Sequence, residues 1–267
     1  MGLIPDYVTP APGGAAASAG WVALYNLDCT AEGDWDFLGT PGPSAGPSYT
    51  DSLGLTWDTA GDTIDATYAD VLAFQTGTGL VIENSDANGT NAVLIGQLLS
   101  DMAGTYALSA FDRLAVVVDV DTAGIDTNGN YVAVGVGSRL AFSGDRYQFQ
   151  ASRKWATGAK LDFIKRVGIP NTRATVSSTS DAFGLVVGQS DAYCYHRATY
   201  AAPLIGWTML DAHAAQDADP QHAPASTATL DSGACWFTLI LGHGAASGST
   251  SVTVRRIGVF GWAPAWR

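Results

Sequence analysis

The sequence predicts an all-β protein, an antiparallel two-sheet β-sandwich with few or no helices, from three observations. The 267-residue chain has only two glutamates and three lysines, which are residues that favour the solvated faces of helices. It has 23 aspartates and 31 glycines, which are poor in helix interiors and common in turns. Its apolar runs have the length of strands, and turn residues separate them at intervals of about 8–12 residues, as in sandwiches.

The N-terminal part begins with a segment of different character. Residues 1–20 contain Pro5, Pro10 and Pro12 and show no hydrophobic period, so we expect an extended arm there. A docking arm that orders on a neighbouring subunit and a frayed terminus both fit this composition. Residues 21–267 are predicted to form a single large β-sandwich domain. Its first strands are predicted at residues 21–27, 53–58, 71–76, 79–83 and 92–99.

The second half continues the same rhythm. Between residues 146 and 152, Tyr147 and Phe149 alternate with Gln148 and Gln150, which is the two-residue period of a strand. A long loop is predicted near residues 213–233, and no helical pattern of ten or more residues occurs. The remaining strands are predicted at residues 114–120, 131–137, 140–142, 161–167, 184–187, 192–200, 235–241 and 252–262.

Charge and hydropathy narrow the classes of partner. The net charge is −12 and the sequence pI is about 4.4, which argues against nucleic acid because phosphate binding needs a basic surface. The longest apolar run, at residues 236–241, is far shorter than a membrane span. The first residues have neither a basic region nor an apolar core of the kind found in secretory signals. We therefore expect no nucleic-acid partner, no membrane span and no signal peptide.

The three cysteines predict free thiols. Cys29, Cys194 and Cys235 are odd in number and widely spaced, and no Cys-x-x-Cys pair exists. They fit small buried apolar residues better than disulfides or zinc ligands. We infer synthesis in a reducing cytoplasm.

The order of strands resembles the concanavalin-like jelly rolls, which include laminin-G-type and legume-lectin-type sandwiches. The resemblance lies in the strand–loop–strand run at residues 114–138, in the Tyr-x-Phe strand at residues 147–149, and in the closing pair at residues 236–241 and 252–260. It is a resemblance of strand rhythm and not of a motif. It implies a jelly-roll topology, with glycan binding, glycan cleavage or a purely structural role.

The hydrolases of that fold use paired glutamates on one strand, and this chain departs from them. Glu32 and Glu83 are 51 residues apart, whereas glycosidases need two carboxyl groups within about 5–9.5 Å. Asp119 and Asp121 share one strand face, and they are interpreted as turn and cap residues. We expect no catalytic residues and no cofactor. Calcium bound by the oxygen-rich segment between residues 119 and 130 is the alternative to a plain hairpin loop.

Basic residues are concentrated in one segment. Residues 139–173 contain eight Lys or Arg against two Asp, so this segment carries +6 and the remainder of the chain −18. Such opposed charge favours an acidic partner, which is either a neighbouring subunit or an anionic glycan, although a solvated strand face also fits. Trp155 is the tryptophan expected to be exposed. The predicted glycan or partner contact consists of Tyr147, Arg153, Lys154, Trp155 and Lys160.

Together these features predict a non-enzymatic structural protein of a bacteriophage or similar virus particle. We expect a subunit of a tail fibre, a spike or a capsid decoration, located in the virion. Its expected partners are itself, as a homotrimer, other virion proteins and host-surface glycan. The alternative is a carbohydrate-binding module or polysaccharide-degrading enzyme on a concanavalin-like fold.

Overall fold

A computed structural model of the protein describes thirteen stretches of the chain, and nearly all of them are strands. These stretches are residues 20–38, 48–61, 71–84, 92–121, 131–137, 148–155, 159–167, 169–177, 181–188, 192–200, 208–209, 235–242 and 250–263. The strands are β1 (Gly20–Asp28), β2 (Trp35–Leu38), β3 (Tyr49–Thr50), β4 (Thr56–Gly61), β5 (Val71–Gln75), β6 (Gly79–Asn84), β7 (Ala92–Leu98), β8 (Arg113–Asp121), β9 (Tyr131–Gly137), β10 (Gln148–Trp155), β11 (Ala159–Val167), β12 (Ile169–Ser177), β13 (Ala182–Gly188), β14 (Ala192–Arg197), β15 (Thr208–Met209), β16 (Trp236–Gly242) and β17 (Thr250–Ala263).

Helical structure is confined to short pieces within these stretches. The four-residue helix α1 spans Leu99–Met102, and two 3₁₀ turns span Cys29–Ala31 and Leu108–Ala110. None of the described helices has the length and hydropathy needed to cross a membrane. The prediction of an all-β chain is confirmed.

The strands form two antiparallel sheets. The first sheet has the order β15-β14-β13-β8-β17-β6-β5-β2 and includes β1 beside β17. The second has the order β12-β11-β10-β9-β16-β7-β4-β3. The long strand β17 pairs with β8 on one side, and on the other side with β6 through its first residues and with β1 through its last. Two antiparallel sheets are the predicted fold class.

The core lies between the two sheets because successive side chains of a strand point to opposite faces, so that every second residue faces the other sheet. In β8, Val116 and Val118 are fully buried against the second sheet, where Val134 of β9 and Leu239 of β16 belong to the same apolar cluster. Each such side chain stabilises the fold by about 1.5–3 kcal/mol through its removal from water. The sheets therefore form a sandwich around one apolar layer.

The outer face of the first sheet carries a second apolar cluster. Ala115 and Val117 of β8 alternate with the core residues and lie with Trp21 and Phe260 on this face. Trp21 contacts Trp262 edge to face with ring centroids 5.5 Å apart, and its buried Nε1 has no hydrogen-bond partner within the part of the chain that the structure describes.

At one end of the sandwich, the end strands β2 and β3 of the two sheets meet. Trp35 of β2 contacts Tyr49 of β3 with ring centroids 5.7 Å apart, and Tyr49 contacts Phe74 of β5 at 4.3 Å. The 3₁₀ turn Cys29–Ala31 leads into this end, and the Thr30 carbonyl accepts the N–H of Gly77 at 2.9 Å. The strands β10 to β12 lie at the other end of the second sheet.

Several predicted boundaries differ from the structure. Residues 53–55 belong to a turn, and the strand predicted from residue 53 begins at Thr56. The strands β2, β3, β12 and β15 were not predicted. The predicted strand at 140–142, the arm at residues 1–20 up to residue 19, and the loop near 213–233 lie outside the described residues.

Candidate functional site

The predicted contact residues fall on the hairpin of β10 and β11. Arg153, Lys154 and Trp155 lie on β10, and Lys160 lies on β11. The backbone register pairs Lys154 with Lys160 directly across the two strands. Four of the five predicted residues therefore lie at one end of a single hairpin, while Tyr147 lies outside the described residues.

The hairpin extends into a basic end of the second sheet. All three lysines of the protein lie on β10 and β11, and Arg173 lies on the end strand β12. Residues 148–177 contain six basic residues and one aspartate, a formal charge of +5 in a chain of −12. The three strands at this end therefore concentrate positive charge.

The opposite end of the sandwich is acidic. Residues 20–38 and 48–61, which supply β1 to β4, contain six Asp or Glu residues and no Lys or Arg. Among the described residues, Arg256 of β17 neutralises one of them by donating to the Asp28 carboxylate at 2.8 Å. Basic strands at one end and acidic segments at the other give the molecule a strong charge asymmetry.

Asp119 and Asp121 both lie beside the guanidinium of Arg255 in the structure. Arg255 donates to Asp119 at 3.0 Å and to Asp181 at 3.3 Å, and its guanidinium lies 4.0 Å from Asp121. Partial burial lowers the pKa of Arg255, but the bonds to Asp119 and Asp181 outweigh it, so that the pKa is raised. Asp119 and Asp121 are therefore ion-pair partners of Arg255 at the end of β8.

The calcium alternative concerns a segment that is only partly described. Residues 122–130 lie outside the described residues. Within the part of the chain that the structure describes, no group of three or more His, Cys, Asp or Glu side chains is arranged to hold a metal ion.

Asp51 is the centre of a buried polar network that the sequence did not reveal. Its side chain is 5% exposed and follows β3 at the start of a tight turn. One oxygen accepts the N–H groups of Leu53 at 2.9 Å and Leu55 at 3.0 Å. The other accepts the Trp57 indole N–H at 2.7 Å and the Tyr25 hydroxyl. Four donors therefore hold one carboxylate and fix the turn between β3 and β4 against β1.

Glu32 forms the second half of this network. It is 2% exposed and follows the 3₁₀ turn Cys29–Ala31. Its carboxylate accepts the Tyr49 hydroxyl, the Ser52 hydroxyl and the Ser52 N–H, the last at 3.0 Å. Because buried carboxylates are costly unless hydrogen-bonded, these donors explain how two acids are kept inside. The network joins the first sheet to the second at their acidic end.

The network shifts the titration of its neighbours. Burial raises the pKa of Tyr25, and the adjacent Asp51 carboxylate raises it further. Burial and the bond to Glu32 raise the pKa of Tyr49. Burial, with the nearby Glu32 and Asp28, raises the pKa of the Cys29 thiol. At neutral pH the two tyrosines are therefore neutral donors and the Cys29 thiol is protonated. The thiols of Cys29 and Cys194 are buried as predicted, whereas Cys235, which was also predicted to be buried, is only partly buried.

An exposed tryptophan, Trp35, contacts Tyr49 of this network. Trp35 of β2 is 61% exposed, although Trp155 was the tryptophan for which exposure was predicted. The structure does not describe the side chain of Trp155, so its exposure stays a prediction. Trp35 rests on the buried ring of Tyr49, and a methyl group added at Gly33 would lie 3.7 Å from its Nε1. The sequence carried no signal for this exposure, because Trp35 lies in a short strand between turns.

Comparisons with known proteins give only distant similarities. No protein-family model and no curated protein matches the sequence. A mutant GH43 protein from Bacillus licheniformis has a TM-score of 0.48 and 13% identity, and the similarity covers 79% of this chain and 38% of that protein.

Two phage proteins are also similar in structure. The CBM2 module of the evolved Dit of Lactobacillus casei BL23 phage J-1 has a TM-score of 0.37 and 11% identity, covering 94% of this chain and 100% of the module. A carbohydrate esterase from Shiga toxin-encoding bacteriophage phi24B has a TM-score of 0.39 and 12% identity, covering 91% of this chain and 100% of the esterase. Similarities at this level place the chain in no family.

Proposed function

We propose that the protein is a non-enzymatic structural subunit of a bacteriophage or similar virus particle. It serves as part of a tail fibre, a spike or a capsid decoration, assembles as a homotrimer and contacts host-surface glycan. The jelly-roll topology suggested by its strand rhythm belongs to the same proposal. Its place is the virion, beside other virion proteins.

The observation that carries this proposal is the charge asymmetry of the sandwich. The strands β10 to β12 have a formal charge of +5, and the rest of the chain therefore carries −17. Complementary charge on one molecule steers copies of it towards head-to-tail contact. A head-to-tail contact closes into a ring when the rotation between copies allows it, and a trimer is such a ring.

The use of the acidic residues supports a non-enzymatic role. Glu32 and Asp51 each receive several neutral donors, and Asp119 binds Arg255. These carboxylates stabilise turns and strand pairs. Catalysis by a pair of carboxylic acids instead needs groups that reach a substrate.

The native mass in solution tests the assembly. We expect light scattering at low ionic strength to give a trimer whose mass is unchanged by EDTA. The double variant Lys154→Glu with Lys160→Glu should be monomeric, because it reverses charge on the paired positions of the hairpin. The matched control Lys154→Arg with Lys160→Arg keeps the charge and should stay trimeric. A wild-type monomer at low salt would contradict the proposal.

A carbohydrate-binding module or polysaccharide-degrading enzyme is the second candidate, and the exposed Trp35 favours it. Incubation with polysaccharides, followed by analysis of released oligosaccharides, distinguishes an enzyme from a binding module. Release that Asp121→Ala abolishes would favour an enzyme, whereas binding without release would favour a module. Trp155→Ala tests the predicted hairpin contact in the same assays.

A further inference from the structure

Trp35 is a rigidly supported aromatic surface. Its indole is 61% exposed, while the Tyr49 ring beneath it is 4% exposed. The Tyr49 hydroxyl is fixed by the buried Glu32 carboxylate. An exposed indole with a fixed base offers a flat apolar face at little cost in conformational entropy, which is the property of aromatic anchors in binding sites.

Polar groups flank this surface. Asp34 precedes Trp35 and is exposed, and one of its oxygens accepts the backbone N–H of Thr76 at 2.7 Å. That bond holds the carboxylate in place, and a carboxylate has further acceptor sites for ligand hydroxyls. The same bond lowers the pKa of Asp34, so the group is an anion at neutral pH. Ser52 lies exposed on the turn that follows Tyr49 and Asp51.

The charge of this end selects the class of ligand. Residues 20–38 and 48–61 carry six acidic residues and no basic ones. A sugar with carboxylate, phosphate or sulfate groups would be repelled here, whereas an uncharged sugar would not. A sugar ring has an apolar C–H face that can lie on an indole and hydroxyl groups that can donate to a carboxylate.

We propose that Trp35 and Asp34 form a stacking subsite for an uncharged hexopyranose unit of a polysaccharide. The C–H face of the sugar lies on the indole, and its hydroxyls donate to the Asp34 carboxylate. This inference rests on the glycan contact in the proposed function and assigns it to β2 at the acidic end. The hairpin residues Arg153, Lys154, Trp155 and Lys160 at the basic end then belong to subunit contact.

The indole N–H resonances of the full chain test the subsite directly. Trp35→Phe assigns the resonance of Trp35 by its disappearance. The probes are cellohexaose, xylohexaose, maltohexaose, chitohexaose and, as the charged comparison, hexagalacturonic acid. We expect at least one neutral oligosaccharide to shift the Trp35 resonance in a saturable way, and hexagalacturonic acid to bind more weakly.

Variants then measure the contribution of each group. Trp35→Ala should weaken binding about tenfold or more, and Trp35→Phe less, because a phenyl ring keeps a smaller stacking face. Asp34→Asn should weaken binding by a smaller factor. Leu53→Ala is the control, because it removes a different large apolar side chain, 54% exposed, from the turn after Asp51, and it should leave affinity unchanged.

Three results would overturn the subsite. They are the absence of any shift of the Trp35 resonance with all neutral probes, equal affinity of Trp35→Ala and the wild type, and tighter binding of hexagalacturonic acid than of every neutral probe. The native mass of Trp35→Ala separates this failure from failure of the assembly. If Trp35→Ala dissociates the oligomer, Trp35 is a subunit contact, and the sugar subsite is wrong while the assembly stands.

Discussion

Two buried tryptophans provide a matched measurement of what the Asp51 network contributes. Trp57 is fully buried and donates its indole N–H to Asp51 at 2.7 Å, whereas Trp21 is 2% exposed and its Nε1 has no partner among the described residues. Trp57→Phe and Trp21→Phe remove the same atoms from two buried positions. Only Trp57→Phe also removes a hydrogen bond to a carboxylate, which contributes about 1.5–3 kcal/mol. We expect Trp57→Phe to be the more destabilising by about that amount.

Urea unfolding followed by far-UV circular dichroism measures this difference. A background of Asp51→Asn completes a double-mutant cycle, in which the extra cost of Trp57→Phe should shrink because its charged acceptor is gone. Trp21→Phe should cost the same in both backgrounds. Equal free-energy losses for the two tryptophans in the wild-type background would refute the view that the Trp57–Asp51 bond stabilises this end of the sandwich.

The remaining predictions concern the same network and the thiols. Asp51→Asn alone should destabilise the fold by about 2–3 kcal/mol, because an amide NH₂ then faces groups that donate, and urea unfolding checks it. The pKa values of Tyr25 and Tyr49 are raised in the folded protein, so as the pH rises these hydroxyls ionise in the unfolded chain before they ionise in the folded one. The free energy of unfolding should therefore be unaffected below about pH 10 and should fall above it. The fall should be about 1.4 kcal/mol per pH unit for each tyrosine that stays neutral in the folded state. Denaturant titrations from pH 8 to 11 check this, and a constant midpoint would contradict it. Cys29 and Cys194 should react with a thiol reagent only on unfolding, since both are buried, and rapid modification of the native protein would contradict their placement.

Periodicity and composition predicted the central strands well. The strand at residues 131–137 has the predicted bounds, and β8 extends the predicted 114–120 by one residue at each end. Both are valine-rich runs, and valine favours strands over helices and turns. The strand β12 was missed because Pro170 and the polar residues around it give no apolar period, and it is held by pairing with β11 at the edge of a sheet. Edge strands have weaker sequence signals because only one neighbour and little core constrain them.

The polar network was beyond sequence reasoning for a different reason. Glu32 and Asp51 are separated by nineteen residues, and only the closure of the two sheets brings the donors Tyr49, Ser52 and Trp57 around them. The scarcity of glutamate in the sequence indicates few helices, but it carries no sign that a glutamate is buried. That one of two glutamates is buried with three donors follows from tertiary structure alone.

The two proposals can be tested against each other because both use the acidic end of the sandwich, which receives the basic strands of the next copy in the assembly and carries Trp35 in the sugar subsite. If basic strands of one copy dock on the acidic end of the next, the contact approaches the end that carries Trp35. An uncharged oligosaccharide has no charge for salt to screen, so its own affinity should not depend on ionic strength. We therefore expect the same affinity for the sugar at about 50 mM salt, where the copies associate, and at about 1 M salt. At about 1 M the Debye length falls to about 3 Å, so the charge attraction between copies is screened and the oligomer dissociates. An affinity that rises as the oligomer dissociates would show that Trp35 lies under the subunit contact, and the glycan would then have to bind elsewhere on the particle.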